Sequence, residues 1–377
     1  MKFVVDGLAL ADASFTVSKA CAVKTLNPVL ECIKIEAQND VLRLSAFDNE
    51  ISIEKSIKAE VLEEGEVCVN GKFFSDFIGK IPHGEVVINA DEKTMEIKYA
   101  ESETNMQVLP AKDFPVIDSD AFNQNFFEVK EEDFKALVSE VVFCSATDDS
   151  RPILKGCLLE TKAGVLTATA LDGFRMATSS CPVSVSEGEM KIVVPARTLV
   201  EITRMLGEGE TLKIHAYKNK LSVCVKDTVI NSRLYAGEFV KKENIFPASF
   251  TTKVTVSKKE MTESVERASV LIRGDKNNLI LLDIGIGRIT IKANSEIGKV
   301  EESVFAELEG LELKIAMNAK YLLDALKALK EEKAEIKFNT PVSPFTLENV
   351  ENKTSQAILP AFYFFIPFLL GISRSYR

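Results

Sequence analysis

The sequence predicts an α+β protein. Amphipathic helices are separated by runs of consecutive alternating strands, and the same order recurs three times along 377 residues. Strands that follow one another between helices pair antiparallel, which gathers the helices on one side of the sheets. At ordinary domain sizes of roughly 100 to 200 residues, two or three domains are expected.

The repeat rests on landmarks that stay in phase. NGKFFSDFI (70–78), PARTLVEIT (195–203) and NAKYLLDAL (318–326) place Lys72, Arg197 and Lys320 125 and 123 residues apart. Four residues after each comes an acid, Asp76, Glu201 or Asp324, and apolar residues such as Leu322, Leu323 and Leu326 lie between. Each segment therefore reads as a short amphipathic helix with an i,i+4 ion pair on its wet face. SAFDNEISI (45–53) and TALDGFRMA (169–177) hold Asp48 and Asp172 124 residues apart, and KANSEIGKV (292–300) follows about one period later. Leu109, Leu234 and Leu359 close the units. Three separate landmarks in register mean three copies of one unit. The period divides the chain at 1–124, 125–250 and 251–377.

Each copy also begins with a helix. In 130–145 the apolar stripe is Phe134, Leu137, Val138, Val141 and Val142, with Glu131, Glu132 and Asp133 where the helix dipole favours anions. In 257–272 it is Met261, Val265, Ala268 and Ile272; the first copy is weaker, with Leu8, Ala11 and Phe15. Alternating strands follow, such as Leu221, Val223, Val225 and Ile289, Ile291, Ala293. The order per copy reads strand, helix, three strands, strand, helix, three strands.

Composition excludes several function classes. Hydrophobic residues at 46% and charged residues at 27% rule out disordered and fibrous chains. A net charge of −10 argues against coating nucleic acid with the whole surface, while leaving a locally basic face open. The seven cysteines form no C-x-x-C and sit mostly in apolar runs, so buried thiols in a reducing cytoplasm are expected. MKFVVDGLAL carries no stretch that reads as a signal peptide. Only His83 and His215 exist, neither with metal spacing, which removes most zinc and histidine-base mechanisms. His83 reads as a surface turn residue, and strand alternation places His215 on the exposed face.

No motif for catalysis emerges. A G-x-x-x-x-G-K-[ST] is absent, GIGRIT (285–290) reads as a hairpin, and Asp148–Asp149 reads as a solvated loop. A binding protein with no enzymatic activity and no cofactor is expected. The basic residue shared by the copies either marks a charged binding surface or is the solvated half of an ion pair worth little.

SRPILKGCLLE (150–160), ALDGFRMA (170–177), the threefold period and QAILP (356–360) together resemble the β subunit of bacterial DNA polymerase III, the sliding-clamp family. The resemblance runs from Met1 to about Pro360. It implies three tandem clamp domains, two helices on antiparallel sheets in each, and a homodimeric head-to-tail ring around duplex DNA held without sequence preference. The implied DNA-facing residues are Lys24, Lys72, Arg197, Arg204 and Lys320, with Asp148, Pro152 and Ile153 in a matching loop. The implied peptide-binding cleft comprises Leu154, Leu171, Gly173, Phe174, Arg175 and Met176, then Val240, Asn244 and Ile245, then Asn318, Tyr321, Val342, Ile358, Leu359 and Pro360. Its expected clients are the replicative polymerase catalytic subunit, the clamp loader, repair polymerases and mismatch-repair proteins, through short peptide motifs. Leu271 and Ile272 resemble half of the ring-closing contact, and no membrane partner is expected. The other reading is a monomeric three-repeat adaptor that binds peptides without encircling DNA. The chain departs from the family in its ending, AFYFFIPFLLGISRSYR (361–377), an apolar tail expected to pack, with the adjoining cleft as its candidate site.

Overall fold

The computed structural model describes residues 1–117, 126–185, 188–207, 209–240, 245–247, 249–274, 277–351 and 354–359; the cleft candidates Asn244 and Pro360 and the 361–377 tail lie outside them. Six helices are present among the described residues: α1 (Gly7–Ser18), α2 (Gly71–Ile78), α3 (Glu131–Ser139), α4 (Ala196–Met205), α5 (Lys258–Leu271) and α6 (Ala319–Ala328). They fall in pairs, one pair per sequence repeat.

Local chemistry starts these helices where the sequence places them. Asp6 accepts from the Ala9 N–H at 2.9 Å to cap α1, and the Ser257 hydroxyl accepts from Glu260 at 3.3 Å to cap α5. Asn70 accepts from Phe73 at 3.0 Å before α2, and Asn318 takes the N–H groups of Lys320 and Tyr321 before α6. Each side chain satisfies donors that a helix start leaves unpaired.

Packing selects the buried faces. The stripes of the second and third copies hold except at Val142, which is only half-buried: Phe134, Leu137, Val138 and Val141, and Met261, Val265, Ala268 and Ile272, are all buried. In α1 the expected stripe is wrong. Leu8 and Phe15 face outward, and Leu10, Ala13, Ser14 and Val17 form the buried face. Both sets have helical spacing, so only the neighbouring strands decide which one turns in. The helix expected over 130–145 ends at Ser139 and resumes as a 3-10 turn at Val142–Cys144. Glu140 turns in to accept from Ser179 at 2.5 Å, and the β-branched pair that follows favours helix poorly.

The chain forms two compact units. The first comprises 1–132, 183–188 and 197–234; the second comprises 133–182, 189–196 and 235–377. A fourteen-stranded sheet lies within the first unit and a twelve-stranded sheet within the second, and every pairing between strands is antiparallel. In the first, strand Thr228–Arg233 of the middle repeat pairs with Ile51–Lys58 of the first repeat, Ile230 opposite Ile53. In the second, strand Met176–Pro182 of the middle repeat pairs with Ser355–Leu359 of the last, Ala177 opposite Ala357. Successive copies thus share a hydrogen-bonded sheet, which protects edges that would otherwise invite other chains.

The strand order expected per copy is met by the third repeat, where Gly298–Gly310 is one unbroken thirteen-residue strand. In the first repeat the equivalent strand breaks between Lys58 and Glu60, and in the second after Pro182, so each gains a short extra strand. Hairpin Leu279–Gly285 to Arg288–Ser295 confirms the reading of GIGRIT, with Gly287 at φ +77° in the two-residue turn. His215 is a second correction. It is only 7% exposed and its ring stacks on Tyr217, because that face of the strand is also covered.

Candidate functional site

The first candidate surface is an apolar cluster in the second unit. Leu154, Leu158, Leu171, Met176, Val193, Phe239 and Ile358 are buried together, with Ala146, Ile153, Tyr235, Ile245 and Phe246 packed against them. Strands Val165–Leu171, Met176–Pro182 and Ser355–Leu359 lie side by side and bring Leu171, Met176 and Ile358 into one floor. Leu154 arrives on a 3-10 turn, Pro152–Lys155. Five residues predicted for the cleft are therefore gathered: Leu154, Leu171, Met176, Ile245 and Ile358. Leu359 is buried beside them in sequence but pairs across its strand with Phe345.

Other predicted cleft residues remain exposed. Phe174 is 71% exposed, and Val240 and Val342 are also exposed. Gly173 sits at φ +92°, a left-handed conformation that costs other residues. The turn around it is built by Asp172, whose Oδ1 accepts from the N–H groups of Phe174 and Arg175 at 2.9 and 3.0 Å.

Arg175 is a buried hub. Its Nε donates to Asp172 at 3.0 Å, one terminal nitrogen donates to Asp324 at 2.7 Å, and the other donates to the Phe143 carbonyl at 2.8 Å. The guanidinium also lies 4.4 Å from the centre of the Tyr321 ring. Burial works against its charge, but the bonds to Asp324 and Asp172 outweigh this and hold its pKa above the usual value. Arg175 thus braces the loop and helix beside the apolar floor. Asn318 is a helix cap that also donates to the Asn277 carbonyl at 3.0 Å.

The second set of candidates is basic. Lys24 and Lys72 in the first unit and Lys320 in the second are each exposed, and among the described residues none lies within ion-pair distance of a carboxylate. The expected i,i+4 pairs are a correction. Arg197 bonds Asp48 at 2.8 Å and Glu50 at 3.5 Å, Glu201 takes Arg204 at 2.7 Å, and Asp324 takes Arg175. A cation placed N-terminal to its acid is the weaker orientation on a helix, so better-placed partners win.

The 148–153 loop is held by its own contacts. Asp148 accepts from the Ser150 N–H and hydroxyl, whose hydrogen bonds keep its carboxyl below the usual range. Pro152 is exposed, while Ile153 packs on the apolar cluster. Of the pair proposed for ring closure, Ile272 is buried in its own fold, and Leu271 is partly exposed.

Phe239, Tyr235, Phe246, Leu158 and Val193 went unrecognised in the sequence. The signal for three of them was the aromatic spacing in YAGEFVKKENIF, on either side of the chosen Val240. No reactive centre competes with these surfaces among the described residues. Burial pushes the Cys21, Cys68, Cys157 and Cys181 thiols up to about 12, which silences them as nucleophiles.

Repeated helix pairs on shared antiparallel sheets, an apolar cluster and exposed lysines are the features of a protein that works by binding surfaces. Three family models match it in sequence: DNA polymerase III beta subunit N-terminal domain over residues 1–118, central domain over 128–241 and C-terminal domain over 243–361. The beta sliding clamp of Halalkalibacterium halodurans is 32% identical over 374 residues, covering 94% of this chain and 97% of that one. The beta sliding clamp of Bacillus subtilis is 29% identical, covering 96% and 99%. The crystal structure of the B. subtilis DNA polymerase sliding clamp superposes with a TM-score of 0.92 at 28% identity, covering 96% of this chain and 99% of that one. The chain belongs to the DNA polymerase III beta subunit family and consists of three clamp domains.

Proposed function

We propose that this protein is a DNA polymerase processivity factor: two chains close head to tail into a ring around duplex DNA and tether the polymerase to it. It performs no catalysis of its own and works in the cytoplasm. The observation that carries this reading is family membership along nearly the whole chain. The shared sheets at both repeat junctions support it, since they join separate copies through backbone hydrogen bonds. The domains divide at 1–124, 125–250 and 251–377.

Lys24, Lys72 and Lys320 contact DNA phosphates, assisted by Arg197 and Arg204. Lys72 and Lys320 sit in the first turn of α2 and α6, where a cation opposes the helix dipole by about 0.3 to 1 kcal/mol. Their placement does not serve helix stability. It suits an anion, because helix starts and lysines both attract phosphate. Such contacts hold a duplex without reading bases, so a ring can slide. Asp148, Pro152 and Ile153 belong to the same proposal, as a loop that meets DNA.

The apolar cluster with Phe174, Val240, Val342 and Tyr321 receives short peptide tails of polymerases, the clamp loader and repair proteins, in the manner of apolar anchors entering a preformed groove. Asn244 and Pro360 belong to the same proposal, and Leu271 faces the partner chain.

The test is topological. The protein, loaded onto nicked circular plasmid, is expected to remain through gel filtration and to be lost when the plasmid is linearised. Equal loss from both forms would favour a monomeric peptide-binding adaptor. Mass in solution must match two chains.

A further inference from the structure

We infer that a cavity in the first unit binds a small alkyl-diammonium ligand. It encloses about 390 Å³ between α1, α4 and strand Thr228–Arg233. Glu131 lines it and is 1% exposed, yet among the described residues neither of its carboxylate oxygens has a hydrogen-bond partner. The buried Oε2 of Glu201, which lines the same cavity, has none either.

Buried carboxylates are almost always paired, because removing their charge from water is costly. The cations around this cavity are committed elsewhere. Lys55 holds Asp12 at 2.6 Å and Asp227 at 3.8 Å, Lys226 holds Glu210 at 3.4 Å, and Arg204 holds the other oxygen of Glu201. Lys19 rests over the Phe15 ring, 3.7 Å from its centre. Glu131 thus presents, among the described residues, an unpartnered buried carboxyl group to a space large enough for a molecule.

The chemistry of the walls selects the cation. A metal ion takes four or more ligands, whereas among the described residues no three His, Cys, Asp or Glu side chains gather to hold one. An ammonium group needs only a few acceptors, which Glu131 and Glu201 supply. Met205, Ile230 and Phe15 offer apolar surface to a methylene chain. Asp12 and Asp227 line the same cavity and share the single Lys55, so two carboxylates facing one lysine leave acceptor capacity for a second ammonium at the far end. This site is separate from the apolar cluster and does not depend on ring formation.

The experiment is calorimetric titration of the full chain with 1,4-diaminobutane, with n-butylamine and magnesium chloride as comparison probes. One saturable diamine site per chain is expected, n-butylamine binding more weakly. Glu131→Gln should weaken binding at least about tenfold. The diamine should raise the melting temperature of the parent and leave that of Glu131→Gln unchanged. Equal diamine binding by parent and variant, absence of saturation, or stoichiometric competition by magnesium would overturn the inference. Should Glu131→Gln fail to fold, Glu201→Gln leaves the central carboxylate in place; it should still weaken binding, and unchanged affinity would also overturn it.

Discussion

Arg175 donates to Asp324 at 2.7 Å although 149 residues separate them. The junction between the first two repeats has a counterpart, Arg197 to Asp48 at 2.8 Å. In each, the second helix of the later copy is tied to the turn that follows a strand of the earlier copy. Asp48 and Asp172 fold that turn alike, each with Oδ1 accepting two backbone N–H groups. The polarity is reversed: the arginine stands on the helix at one junction and on the turn at the other.

Removing Arg175 should therefore cost more than a surface charge. Arg175→Ala strands Asp172 and Asp324 without their partner, and breaking a buried pair from one side costs roughly 3 to 5 kcal/mol. Arg175→Lys should recover little, since one ammonium cannot reach three acceptors in a fork. The midpoint of urea unfolding reads both effects, and a shift below about 1 kcal/mol for Arg175→Ala would contradict the bracing role.

Phe174 offers the opposite case. With 71% of its surface exposed, Phe174→Ala should change stability by no more than about 0.5 kcal/mol. Its affinity for the tail peptide of the replicative polymerase should fall by about 1 kcal/mol or more, as for an anchor residue. Fluorescence anisotropy with a labelled tail measures this. An unchanged affinity would remove Phe174 from the peptide site.

Lys72→Ala and Lys320→Ala should each weaken duplex binding uniformly across sequences. The slope of log affinity against log salt should drop by about 0.9 for each phosphate that is no longer neutralised. Stability should stay level or rise slightly, because a cation leaves a helix start. If the salt slope is unaltered in both, the lysines do not touch phosphate.

Glu335 sets an acid limit. Burial alone would raise its pKa, but hydrogen bonds from Lys253 and Lys337 prevail and bring it down to about 2. A carboxylate depressed in the folded state stabilises above its unfolded pKa of about 4.3, and this contribution fades as pH falls toward 2. Glu335→Gln should be less stable than the parent at pH 7, on the order of 1 to 2 kcal/mol, and the gap should shrink between about pH 4.5 and 2. Denaturation at several pH values tests it; a constant gap would refute the assignment.

Much of this molecule could be read from the chain alone. The three-copy period stands in landmarks about 124 residues apart, and the floor residues Leu154, Leu171 and Met176 follow from the family resemblance that SRPILKGCLLE and ALDGFRMA carry. The helices capped by Asn70 and Asn318 and the alternating strands, by contrast, are encoded in windows of about ten residues. There, backbone hydrogen bonding and side-chain periodicity act locally. Tertiary structure decided what depends on surfaces meeting. Leu10 rather than Leu8 turns inward on α1, His215 is covered, Arg197 chooses Asp48 over Glu201, and Tyr235, Phe239 and Phe246 join the apolar cluster. Among the described residues the Glu131 carboxyl is left without a hydrogen-bond partner for the same reason. Helical spacing offers two faces and every charge offers several partners, and the choice falls to whichever strands and turns the fold brings within reach.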